Sequence, residues 1–170
     1  ALSACKQGAS VIMTEPTDWI GGQVSQQGVP PDEHQWIESF GRTENYARFR
    51  TLIRDYYRKN YRLSNTALQS EYLNPGNGMV SRLCHEPKVA LAVLQSMLEP
   101  FITSGNLRLF LNTKPVKALA DADSVQSVSC LNVESGDKKV FIGDMYIDAS
   151  EEGDLLPLTR TEYMLGAESG

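Results

Sequence analysis

Val11-Ile12-Met13-Thr14-Glu15-Pro16-Thr17-Asp18-Trp19-Ile20-Gly21-Gly22-Gln23 is the stretch on which the fold turns. Its opening residues are apolar or β-branched and Pro16 ends the run, the pattern of a short buried strand. Ahead of it, Ala1 to Lys6 favours helix and Gly8 suits the position just past a helix end. There is no initiator Met and no charged signal region, so the chain reads as starting within a helix and is expected to be a fragment of a longer protein.

Working outward, residues 16 to 31 form a loop rich in Gly, Pro, Gln and Ser, and a helix is expected from a capping Asp32 to about Phe40, stopped by Gly41. Thr43 starts the clearest helix, which runs to roughly Tyr61. Its apolar face is Tyr46, Phe49, Leu52, Ile53, Tyr56 and Tyr57. Residues 63 to 85 make a long polar connection containing the turn signal Asn74-Pro75-Gly76-Asn77-Gly78. Pro87 opens a second helix, reaching about Ser104, whose last turn Pro100 should kink. From Leu107 the hydrophobic period becomes two. Strands are expected at Leu107–Leu111, Val116–Ala120, Val125–Val133 and Lys138–Ile142, the last two joined by a hairpin turn at Glu134-Ser135-Gly136-Asp137. Met145-Tyr146-Ile147-Asp148 reads as a final buried strand. The fold class is α/β.

Composition narrows the function. Among 170 residues, 16 Lys and Arg stand against 21 Asp and Glu, a net charge of −5 that excludes a generally basic nucleic-acid coat. No apolar run approaches the roughly 20 residues needed to cross a bilayer. Cys5, Cys84 and Cys130 are scattered and fit reduced thiols, consistent with a cytoplasmic protein. There is no Gly-x-Ser-x-Gly, no triphosphate-binding loop, and neither His34 nor His85 has a metal-ligand neighbour, so no metal is expected.

Two signals remain. Glu15 ends a strand preceded by helix and glycine, as does the acid that accepts ribose hydroxyls in a dinucleotide-binding βαβ unit; a solvated strand-end carboxylate is the plain alternative. Near the other end, Asp148-Ala149-Ser150-Glu151-Glu152-Gly153-Asp154 follows the final strand. It is either an ordinary turn or a place where small residues let the backbone approach a ligand and Asp154 accepts from a hydroxyl chain.

Together with Gly21-Gly22, these segments resemble the FAD-dependent oxidoreductases with glutathione-reductase-like FAD domains, a group that includes the fumarate reductase and succinate dehydrogenase flavoproteins. The closer likeness is to bacterial proteins known only as FAD-dependent oxidoreductases. The resemblance implies an incomplete Rossmann-like, three-layer domain over residues 1–170, with a mainly parallel sheet, a helical excursion at about 32–85 and a small antiparallel meander at about 114–143. It implies FAD as cofactor, with Glu15 at the ribose of the AMP half and Gly21, Gly22 and Gln23 near the cofactor. Ser25, Gln26, Gln27 and Gly28 would lie beside the flavin ring, and the Val116 backbone at the adenine. Ala149, Gly153 and Asp154 belong to the second glycine motif, by the pyrophosphate and ribitol. It also places the family's first strand and Gly-x-Gly-x-x-Gly turn ahead of Ala1. Ser150-Glu151-Glu152, where many relatives have Thr-Gly, sets two acids near a diphosphate, so this polypeptide alone should bind FAD poorly.

Two further features bear on chemistry. Arg50, Arg54, Arg58 and Arg62 recur every four residues, and seven of the sixteen basic residues fall between Arg42 and Arg62. Like charges at this spacing repel, so the stripe is a solvated face balanced by acids, a cleft for an anionic substrate, or a surface for an anionic polymer or nucleic acid. His34 is a candidate proton donor or acceptor for hydride transfer, or simply an exposed residue after a capping Asp. Arg82 is the candidate for a substrate carboxylate, in the manner the flavoprotein resemblance implies. The resulting expectation is a flavin oxidoreductase acting on a small molecule. The rival is a non-catalytic domain that binds a polyanion through the basic helix.

Overall fold

A computed structural model describes residues 1–166 and separates into two units. The first comprises Ala1–Met13 and Thr17–Leu109. It begins with α1 (Leu2–Lys6), after which Gly8 takes φ 85°, and β1 (Val11–Thr14) follows. The Thr43 hydroxyl accepts from the Tyr46 amide at 3.2 Å and starts α2 (Glu44–Asn60) where the capping pattern placed it. A short α3 (Asn65–Gln69), capped by Ser64, interrupts the connection read as purely polar. α4 (Pro87–Thr103) begins on Pro87 and continues through Pro100 to Thr103.

α2 packs on α4 around Phe49, Ile53, Tyr57, Leu73, Leu83, Val89, Ala90, Val93 and Met97. Phe49, Ile53 and Tyr57 on α2, and Val89, Ala90, Val93 and Met97 on α4, follow three- and four-residue spacing, so each helix presents one continuous apolar stripe. β2 (Leu107–Phe110) follows α4. The Val11 amide donates to the Asn106 carbonyl at 2.7 Å and the Glu15 amide to the Phe110 carbonyl at 2.9 Å. Numbers rise together along both strands, so β1 and β2 form a parallel two-stranded sheet.

The second unit comprises Thr14–Pro16 and Phe110–Gly170. It holds an antiparallel meander of β3 (Thr113–Asp121), β4 (Ser124–Asn132) and β5 (Lys138–Phe141). The turn at 134–137 forms as read, with Gly136 at φ 76°. α5 (Leu155–Thr159) packs against β3.

Three expectations are corrected. No helix forms at 32–40; residues 35–39 are turns instead. Glu33 and Glu38 both reach arginines of α2, and on a helix residues five apart point about 140° away from each other. The sheet is not mainly parallel among the described residues: one strand pair is parallel and two are antiparallel. Met145–Asp148 joins no ladder, and Met145 and Ile147 are 83% and 76% exposed, because no described strand lies beside it to take up its backbone groups.

The arginine stripe is not a solvated face either. Arg50 and Arg54 are buried, at 1% and 5% exposure, and only Arg58 pairs locally, with Asp55 at 2.9 Å.

Candidate functional site

In the first unit, Pro30 to Arg42 forms a loop tied to α2 by charge. Arg50 donates to Glu33 and, at 2.5 Å, to Glu38 Oε1; Arg54 donates to the same Glu38 oxygen at 2.5 Å, to Glu38 Oε2 at 3.2 Å and to the Leu73 carbonyl at 3.0 Å. The Tyr46 hydroxyl donates to the same Glu33 oxygen that Arg50 uses. Two guanidiniums thus meet two carboxylates in a buried set whose charges balance. Burial alone would raise the Glu38 carboxyl, but hydrogen bonds from Arg54 and Arg50 outweigh it and hold that pKa low. Burial, then the Glu33 carboxylate, pushes the Tyr46 phenol well above its ordinary value.

This loop carries His34 to an open cavity of about 410 Å³, and the segment 78–82 carries Arg82 to the same cavity. The two candidate catalytic residues therefore line one space. His34 Nδ1 accepts from the Trp36 amide at 3.2 Å, so the neutral ring keeps its proton on Nε2. Gly41 gives that nitrogen room: a Cβ there would stand 2.5 Å from Nε2. The Arg82 carbonyl is anchored by Arg54 at 3.4 Å, while its guanidinium has no ion-pair partner among the described residues.

Asn74 shapes this wall of the cavity. Its amide nitrogen donates to the Gly78 and Ser81 carbonyls at 3.0 and 3.1 Å, and its oxygen accepts from the Cys84 amide at 2.7 Å. One side chain thereby fixes the turn that the Asn-Pro-Gly-Asn-Gly run announced, and buried Leu83 pins it to the core.

Gly21 to Gly28 lies in the same unit. Gly21 has φ 113°, and a Cβ on it would meet Leu94 Cδ1 at 2.5 Å and Ser25 Oγ at 2.7 Å. A 3-10 turn at Gly22–Val24 follows, and the buried Ser25 hydroxyl donates to the Ile20 carbonyl at 2.6 Å. Ser25 holds the loop shut, while Gln23, Gln26, Gln27 and Gly28 are exposed.

Glu15, Val116, Ala149, Gly153 and Asp154 all fall in the second unit. The Glu15 amide donates to the Phe110 carbonyl at 2.9 Å and its carbonyl accepts from the Thr113 amide at 2.8 Å, which sets its backbone beside the start of β3. Val116 sits in a β-bulge: Pro115 faces Cys130 and Lys117 faces Ser129, leaving Val116 without an opposite residue. α5, which begins just after Asp154, packs against the strand that bears Val116.

The loop before α5 is organised by Asp148. Its carboxylate accepts from the Ser150 amide at 2.9 Å, the Ser150 hydroxyl at 2.6 Å and the Leu155 amide at 2.9 Å. The Ser150 hydroxyl in turn accepts from the Asp154 amide at 2.8 Å. Its slight burial would raise the Asp148 pKa, but these hydrogen bonds prevail and hold it low.

A family model described as FAD dependent oxidoreductase matches residues 1–170. The chain belongs to the FAD-dependent oxidoreductase family. No curated protein and no solved structure matches it.

Membership implies FAD, and the donor set of the second unit fits the adenosine end of that cofactor. A strand-end carboxylate suits vicinal ribose hydroxyls, and a bulged backbone position suits an adenine edge. The Gly153 motif fits less openly, since the Asp154 and Leu155 amides are already taken by Ser150 and Asp148. No helix among the described residues is long and apolar enough to cross a membrane, and no described cluster of His, Cys, Asp or Glu has the makings of a metal site.

Sequence reasoning gave no role to Glu33 or Glu38, and read Gly41, Asn74 and Asp148 only as a helix stop, part of a turn signal and part of a glycine motif. The signal for the two glutamates was present: a four-residue arginine repeat demands acids, and the nearest unassigned ones lie just upstream. For Asp148 the serine two residues on was the clue to a side-chain-capped turn.

Proposed function

We propose that this FAD-dependent oxidoreductase chain contributes the adenosine-binding edge of a Rossmann-like, three-layer flavin domain, and that the His34–Arg82 cavity is its substrate side. The observation that carries the reading is Glu15 at the end of a parallel strand, bonded through its backbone to the residue that opens β3, three positions before the bulged Val116. Gly21, Gly22, Gln23, Ser25, Gln26, Gln27 and Gly28 then form the flavin-side loop, held shut by the Ser25–Ile20 bond. Ala149, Gly153 and Asp154 approach the ribitol and pyrophosphate.

FAD supplies hydride chemistry when bound; the chain binds, orients and handles the proton. His34, with its proton on Nε2, is the group able to give a proton to a small-molecule substrate or return it. Arg82 supplies a cation that nothing else in the described chain neutralises, suited to an anionic group on that substrate. The rival use of the basic helix has no support, because its two central arginines are committed to Glu33 and Glu38.

The apolar, exposed Met145 and Ile147 suit a strand of a parallel sheet. The test is visible flavin absorption in the protein made from the whole gene. Bound FAD there is the expected result. Whole-gene protein that refuses FAD overturns the proposal.

A further inference from the structure

Glu33 Oε2, Arg50 Nε and His85 Nε2 are buried polar atoms of the first unit with no hydrogen-bond partner among the described residues. The Arg50 and Glu33 side chains are only 1% and 6% exposed, so bulk solvent does not serve them. A buried polar atom left unmet carries its full desolvation penalty, and native proteins leave few of them.

The three atoms belong to one cluster. Arg50 donates to Glu33 Oε1 through a terminal nitrogen, and the Tyr46 hydroxyl donates to that same oxygen. Nε and Oε2 are therefore the spare donor and the spare acceptor of a guanidinium and a carboxylate already in contact. His85 joins them from the stretch just ahead of α4. Its ring stands edge-on to Phe49, the residue before Arg50 on α2, with centroids 6.3 Å apart. The Glu33 and Arg50 charges both act on this imidazole, the first favouring its protonated form and the second opposing it.

Hydrogen-bond roles narrow what these atoms need. His85 Nδ1 lies 3.2 Å from the Glu86 carbonyl oxygen, which only accepts, so Nδ1 donates and the neutral ring has a lone pair on Nε2. The unmet set is then two acceptors and one donor. Arg50 Nε has a single proton, so by turning to either acceptor it would leave the other bare. A cation would meet the Arg50 guanidinium, and an anion would meet a carboxylate oxygen. A small neutral molecule that donates twice and accepts once answers all three, and water is the smallest that does.

We propose that Glu33 Oε2, Arg50 Nε and His85 Nε2 hold one internal water molecule, which donates to the carboxylate and the imidazole and accepts from the guanidinium. Three bonds is the usual number for a buried water. The water ties together the loop that carries His34, helix α2 and the approach to α4. It belongs to this chain's own polar interior, whether or not FAD is bound.

A high-resolution crystal structure of the whole-gene protein, grown at about pH 8 where His85 is neutral, tests it. One ordered water is expected about 2.7–3.2 Å from all three atoms. Oxygen-17 relaxation dispersion of the solvent gives a second reading in solution: His85→Phe takes away one acceptor and should remove one long-lived water relative to the wild type. Glu33 Oε2 bonded directly to His85 Nε2, separate waters on the three atoms, no water among them, or an unchanged count of long-lived waters in folded His85→Phe would each overturn it. If His85→Phe does not fold, the crystallographic distances decide.

Discussion

Arg50 lies against Glu33, 17 positions earlier in the chain, with the two side chains 1% and 6% exposed. A pair this deep holds the loop that carries His34, and removing one partner strands the other charge away from water. Arg50→Ala should therefore destabilise the protein by about 3–5 kcal/mol in urea unfolding. Arg58→Ala removes the more exposed pair with Asp55, at 29% and 55%, and should cost about 0–1 kcal/mol. Equal losses for the two would show that burial is not what distinguishes them.

Acid should weaken the fold in two stages. Burial lowers the His85 pKa below its model-compound value of 6.5, with Glu33 drawing it up and Arg50 pressing it down further. The unfolded chain therefore takes up this proton first. Stability from neutral His85 is complete above about pH 6.5 and declines as pH falls from there to the folded pKa. Glu38 behaves in the opposite chemical sense: its folded pKa is depressed, so its contribution is present above about pH 4.5 and vanishes as pH drops through the lower folded value. His85→Phe should flatten the first stage and leave the second in a pH series of urea midpoints.

Gly21→Ala places a methyl where Leu94 and the Ser25 hydroxyl already stand, at a φ of 113° that side chains avoid. Leu94 can swing aside, but the backbone cannot relax. A loss of about 1–3 kcal/mol is expected from thermal unfolding, and Ser25→Ala should loosen the same loop less.

Glu15→Ala should weaken FAD binding by about 1–3 kcal/mol in the whole-gene protein, the usual loss when a polar contact goes unmet. Lys117→Ala, one residue past the bulge, serves as the control that should leave affinity unchanged.

Asp148→Ala removes the acceptor for two backbone amides. Hydrogen exchange at Ser150 and Leu155 should quicken, with exchange in β3 unaltered. Protection that persists would mean the loop is held by its own backbone and not by this carboxylate.

Much of the fold was legible because its signals were local. Thr43, Pro87, Gly105 and the period-two run after Leu107 each declare an element boundary within a few residues, and each element formed there. The errors came where distant partners decide. The Asp32–Phe40 segment has a good cap and apolar residues, yet Glu33 and Glu38 gain more from Arg50 and Arg54 than the backbone would from a helix. Met145–Asp148 has strand composition, but composition cannot supply a neighbouring strand.

The candidate site was read partly from pattern and partly from resemblance. Glu15 was singled out by its place at a strand end, and Val116 by the resemblance alone. That His34 and Arg82 share a cavity depends on how the 74–84 turn folds back on the Asn74 side chain, which no periodicity announces.

The parallel pairing of β1 with β2 also sets an order of assembly. Val11 must find Asn106 across the entire helical excursion, and closing so long a loop is entropically costly before any contact rewards it. The α2–α4 core needs shorter closures and can form first, as a platform against which the strands then align. In pulse-labelling during refolding, the Ile53 amide should gain protection before that of Val11, so the β1–β2 pairing becomes native after the helical core.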